Sequence, residues 1–157
     1  MNPEQTQSLR RLLLGQRIAS LGTLHEGEPF VSMVPFAILP DASALVVHVS
    51  QLSSHTKDMV ESPRVSLLVV APETAGAPAQ ALARVTIQAQ AEHYTESTPG
   101  LASAQEAYLS RFPQAVGTFS LPDFSLFALR PLSIRFIAGF AQAMTLTPTA
   151  FANALTP

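Results

Sequence analysis

The sequence has no cysteine, only seven glycines, and charged side chains at just 13% of its 157 positions. The missing cysteine excludes disulfides, thiol nucleophiles, Cys-ligated zinc and iron–sulfur clusters. So few glycines disfavour nucleotide sites built on Gly-rich loops, and neither a Gly-x-Gly-x-x-Gly nor a Walker A pattern occurs. No Gly-x-Ser-x-Gly elbow supports a hydrolase. No His-x-x-x-His pair or carboxylate cluster has metal-ligand spacing, so no metal site is expected. The formal net charge of −2 supplies no basic field, and nucleic acid is not an expected partner. The apolar run Leu12–Leu14 is too short for a signal peptide, and no stretch approaches a membrane span. A cytoplasmic chain without a membrane partner is the expectation.

Hydrophobic residues make up 47% of the chain. That is ample for one packed core, and the length fits one domain. With so little charge, some of the surface is expected to be covered by a second subunit.

Residues 3–14 read as an amphipathic helix with Leu9, Leu12 and Leu13 on one side, stopped at Gly15. Three extended segments follow: Arg17–Leu24, Pro29–Leu39 and Ser43–Ser50. They are separated by the turns His25-Glu26-Gly27-Glu28 and Pro40-Asp41. Ser53–Glu61 has a cap-rich start and Pro63 just beyond its end, which predicts a helix of about two turns. Arg64–Ala71 is a nearly continuous apolar strand. Arg84–Glu92 alternates, with Val85, Ile87, Ala89 and Ala91 on one face and Arg84, Thr86, Gln88, Gln90 and Glu92 on the other. Leu101–Phe112 reads as a helix ended by Pro113. Phe124–Arg130 and Leu132–Ala141 read as two strands separated by Pro131. The Ala-, Thr- and Pro-rich tail is expected to be loosely ordered. Strands cluster rather than alternate with helices, so the pattern predicts a mainly β (α+β) antiparallel barrel of six to seven strands with short helices.

The richest local chemistry lies at the strand-to-helix junction His48–Lys57. A helix N-terminus offers unpaired N–H groups, Ser53, Ser54 and Thr56 add hydroxyls, and His55 and Lys57 add positive charge. Such a set can seat a phosphate; the same residues also make an ordinary Ser-capped helix with a solvated lysine. Arg84 can pair with an interior carboxylate or reach an anionic ligand. His25 and His93 read as surface residues. No residue stands out as a general base.

The runs IASLGTL (Ile18–Leu24), GEPFVSMVPF (Gly27–Phe36), LVVHVSQLSSHTKDM (Leu45–Met59) and SPRVSLLV (Ser62–Val69) come in an order that resembles the FMN-binding split barrels of the pyridoxamine 5′-phosphate oxidase superfamily. The later runs ARVTIQAQAEHY (Ala83–Tyr94), YLSRFPQA (Tyr108–Ala115) and DFSLFALRPLSIRFIAGFAQA (Asp123–Ala143) resemble its haem-utilisation-like branch. The resemblance implies one split-barrel domain over residues 1–147, with 148–157 as a tail. It implies a homodimer that holds FMN between subunits, and a flavin-dependent oxidoreductase of unknown substrate. The alternative it carries is a barrel that binds haem or another planar ligand without flavin turnover. Carried over by position, Ser32, Met33, Val34 and Pro35 would run beside the flavin ring, His48 and Val49 near ring and ribityl, and Arg84 near the same groups. Ser54, His55 and Lys57 would seat the phosphate, aided by Ser50 and Ser53. Ser54 and His55 stand where the oxidases have an Arg-Lys pair, and the oxidases' C-terminal Trp and Arg motif has no match, so pyridoxamine phosphate oxidation is not expected. The haem-utilisation branch ligates haem through a histidine in a C-terminal extension. This sequence has no histidine beyond His93, so that route is not expected either.

Overall fold

Glu26 and Gly27 both adopt positive φ, 52° and 84°, and so form the tight two-residue turn that right-twisted hairpins favour. The turn pairs strand β1 (Ile18–His25) with β2 (Glu28–Pro35) in register from Ile18↔Pro35 to His25↔Glu28. In this computed structural model, which describes residues 1–156, the chain continues through six further strands. These are β3 (Ala37–Ile38), β4 (Leu45–Ser50), β5 (Arg64–Val70), β6 (Arg84–Tyr94), β7 (Phe124–Ile137) and β8 (Ala143–Leu146).

All pairings are antiparallel, in the order β2-β1-β5-β6-β7-β4-β3, and β8 adds to β7. β2 and β3 are neighbours in sequence yet stand at opposite ends of this order. The sheet must therefore curl until its two ends meet, which makes a barrel. The junction is Phe36: its N–H donates to the Arg17 carbonyl at 3.1 Å and its ring is fully buried. The single strand expected over Pro29–Leu39 is thus two strands, broken where the chain changes edges.

Two further expectations change. Pro131 does not separate a pair of strands but lies inside the 14-residue β7. The β4 pairing ends at Leu129 and the β8 pairing begins at Ile134, so one side of Pro131 has no strand neighbour to miss its absent N–H. On the other side, the register slips between Gln88 and Ala89, a bulge that absorbs the extra residue Leu132. The tail is ordered as well. Residues Pro148–Leu155 form helix α4, capped by Thr147, with Phe151 fully buried. Helix α1 (Pro3–Gly15) holds it: Arg10 donates to the Ala154 carbonyl at 2.6 Å and to that of Thr156. Pro157, the last residue of the expected tail, lies outside the described residues.

The barrel interior is filled by side chains such as Leu21, Phe36, Leu45, Leu67, Ile87, Phe127 and Phe136, all essentially inaccessible. On the outer face of β4 and β7, Val46, Leu126 and Ala128 form a second core under α3 (Leu101–Arg111), with Tyr108 and Phe112. α1 and α4 lie at the barrel end where β1 begins. α2 (Ser54–Glu61) lies at the other end, over the finishing residues of β1 and β6 and the start of β7. No helix among the described residues is long and apolar enough to cross a membrane.

Candidate functional site

The end of the barrel under α2 gathers most of the polar chemistry. α2 is fixed from below by Asp58, which is 2% exposed. Its carboxylate accepts the Thr23 hydroxyl at 2.7 Å and pairs with His25 Nδ1 at 2.8 Å, tying the helix to the end of β1. That hydrogen bond raises the His25 pKa above its ordinary value, against a smaller opposing effect of burial; Glu26 and Glu61 add to the rise. The helix start is fixed from the side. The Thr56 hydroxyl donates to the Ser50 carbonyl at 2.6 Å, and the Ser50 hydroxyl to Asp123 at 2.9 Å.

Held this way, α2 presents two different faces. His55 turns toward β2, where its Nδ1 lies 3.0 Å from the Ser32 hydroxyl. Burial depresses its pKa, opposed by the nearby Asp58 charge, so the neutral form is favoured. Lys57 and Val60 turn the other way, over a cleft of about 410 Å³ floored by Phe127 and bordered by Gln51, His93 and Ser125. Lys57 has no carboxylate within ion-pair distance among the described residues; the ion pairs there are His25–Asp58 and Arg130–Glu92. The cleft wall is mostly apolar.

Gln51, His93 and Ser125 also border a second hollow of about 310 Å³ on the outer side of the sheet. Its inner wall is His48, whose ring stacks on Phe119 at 3.8 Å and meets Phe124 at 5.2 Å. Burial lowers the His48 pKa to about 4, so this imidazole is neutral throughout the physiological range.

The residues that the resemblance placed around one flavin therefore spread over several environments. Ser32 and His55 meet. Lys57 faces the apolar cleft, away from His55. His48 faces the second hollow. Val34 and Val49 point into the barrel core, at 1% and 5% exposure. Met33 stands exposed on the outer sheet face, with Pro35 two residues on along the same face. Ser54 is exposed, and Ser53 caps α2 through its backbone without a side-chain bond. Arg84 donates to the carbonyls of Gln80 (3.1 Å) and Leu82 (3.0 Å), so its guanidinium stabilises the loop before β6.

Two groups escaped the sequence reading. Asp58 shares a helix face with His55 and Met59 by i, i+3 and i+4 spacing, and that spacing was the available signal. His93 read as a surface residue. It is exposed, yet its ring stacks on Phe127 at 4.8 Å, a cross-strand contact of the β6–β7 ladder that no local pattern reveals. Among the described residues, no three His, Cys, Asp or Glu side chains lie close enough to hold a metal ion.

A curled antiparallel sheet whose ends meet at a chain bend, closed by helices at both ends, defines a split-barrel protein. Residues 5–138 match the family described as Pyridoxamine 5′-phosphate oxidase, and the chain belongs to that family. It is similar to the chloroplastic non-canonical heme oxygenase HOZ of Arabidopsis thaliana, with 33% identity covering 87% of this chain and 41% of the relative. It is 29% identical to the heme oxygenase HutZ of Vibrio cholerae over 75% of this chain and 66% of that one. The heme binding protein of Mycobacterium smegmatis superposes with a TM-score of 0.85 at 30% identity, covering 98% of this chain and 62% of that one. The chain thus spans less than two thirds of the length of each of these proteins.

Proposed function

We propose that this protein binds haem in the cleft between α2 and the β6–β7 ladder. The observation that carries the reading is the chemistry of that cleft: an apolar wall with one unpaired cation, Lys57, on its rim. A tetrapyrrole asks for this combination, because it buries a flat apolar ring and leaves its carboxylates to be neutralised at an edge. The heme-related names of the Arabidopsis, Vibrio and Mycobacterium relatives support the same reading.

A volume of about 410 Å³ lies near the lower end of the roughly 300–1,000 Å³ typical of small-molecule sites. A tetrapyrrole needs more, so part of the ring would stand outside this cleft. Separately, we propose that the chain pairs with a second copy. The outer face of β1, β2 and β5 exposes Ile18, Val31, Met33, Leu68 and Val70 among small hydroxylated residues, with few charges. An apolar, charge-poor sheet face of this kind suits a homodimer interface.

FMN is the second reading, favoured by family membership and by the Ser32–His55 pair at the start of α2. It is the weaker fit to a dianionic phosphate. His55 is held toward its neutral form, and Lys57 points away from it. A flavin reading would leave the redox chemistry to the cofactor.

The test is to titrate the purified chain separately with ferric haem and with FMN, following absorption, with sedimentation in parallel. The expected result is a saturable Soret band with haem, little response to FMN, and a dimer. Saturable FMN binding with no haem response would overturn the reading in favour of the flavin.

A further inference from the structure

We infer that His93 is the side chain that ligates the haem iron, an assignment that rests on the haem reading above. A macrocycle brings four nitrogen ligands of its own, so one protein donor is enough, and the absence of a multi-residue metal cluster among the described residues is no obstacle. The donor must be a ring nitrogen that is free, accessible and aimed at the apolar cleft.

Three of the four histidines fail one of these conditions. His25 gives Nδ1 to Asp58 on the far side of α2. His48 is 9% exposed and packed between Phe119 and Phe124, with Nδ1 toward the Thr118 hydroxyl. His55 engages Ser32 and faces β2. His93 borders the cleft and is exposed, and neither of its ring nitrogens takes part in a hydrogen bond or ion pair among the described residues.

Its position is also well suited to ligation. His93 sits on a strand, paired with Phe127, and the two rings stack at 4.8 Å with planes 18° apart. Packing on a rigid element therefore sets the plane of the imidazole before any ligand arrives. Gln51 and Ser125, hydrogen-bonded to each other at 3.3 Å, border the same stretch. They are the polar groups at hand to orient the second ring nitrogen, as ligating histidines require. Lys57 lies across the cleft, which separates the site for the metal from the site for the carboxylates.

The experiment compares ferric haem with iron-free protoporphyrin, which has the same ring and carboxylates. Both are titrated into the wild-type chain, His93→Ala, His93→Gln and His55→Ala. Electron paramagnetic resonance and the Soret position report the ligand to iron. The wild type and His55→Ala should share a histidine-ligated signature. Both His93 variants should lose it and bind ferric haem about tenfold more weakly or worse, with protoporphyrin affinity changed by less than about twofold. Added imidazole should restore the signature. Unchanged spectra and affinity in folded His93 variants would overturn the assignment and leave the haem reading intact. Equal losses for haem and protoporphyrin would make His93 a packing residue and overturn it too. A wild type that binds neither porphyrin would overturn the haem reading itself.

Discussion

Replacing Asp58 by alanine removes the acceptor on which β1 and α2 converge. Thr23 is 4% exposed and donates to this carboxylate at 2.7 Å. Without it, the Thr23 hydroxyl is buried with no acceptor, at a cost of roughly 1–3 kcal/mol. His25, whose side chain is 44% exposed, adds a smaller share. A net loss of about 2 kcal/mol lowers the melting temperature of a chain this size by about 4–8 °C. The stronger test is a cycle with Thr23→Val. In the wild type that change takes one donor from a buried carboxylate and destabilises. In the Asp58→Ala background it removes the stranded hydroxyl and should recover stability. The two changes should therefore be coupled by more than about 0.5 kcal/mol, read from urea unfolding of the four proteins. A shift under about 1 °C for Asp58→Ala, or strict additivity, would refute the claim that this carboxylate holds α2 in place.

The His25 pKa is raised above 6.5 in the fold, so its contribution is complete below pH 6.5 and is lost as pH rises through the raised value. The gap in melting temperature between wild type and His25→Gln should shrink over that rise; a constant gap would refute it. His48 runs the other way. Its pKa of about 4 means that its contribution is complete above pH 6.5 and falls as pH drops toward 4. His48→Phe should flatten this acid limb, measured as urea midpoints at neutral and acidic pH. Phe151→Ala opens a cavity at a fully buried position and should cost about 3–5 kcal/mol in chemical unfolding, whereas a dispensable tail would show no change. If haem binds as proposed, Lys57→Ala should weaken it about tenfold or more, because a charge-assisted contact is worth roughly 1.5–3 kcal/mol, with the melting temperature nearly unmoved.

Local sequence determined the elements wherever one short-range rule governed them. The Glu26-Gly27 turn follows from a glycine that takes positive φ without strain. The alternation of Arg84–Glu92 follows from the period of a strand with one buried face. The helix over Ser54–Glu61 follows from its caps and from Pro63. The order of these elements also pointed to the split barrel. Tertiary structure decided what depends on neighbours distant in the chain. Pro131 stays inside a strand because β4 and β8 leave a gap beside it, a fact about two other strands. The tail becomes a helix because α1 offers Arg10 and an apolar face, contacts 144 residues away. The same holds for the site. His48, Ser54, His55 and Lys57 are close in sequence, and proximity suggested one shared ligand. But successive strand residues face opposite sides of a sheet, and helix residues two apart point about 200° apart. Chain neighbours thus diverge into four environments, while His93 and Lys57, 36 positions apart by number, come to border one cleft because β6 and α2 meet at the same barrel end.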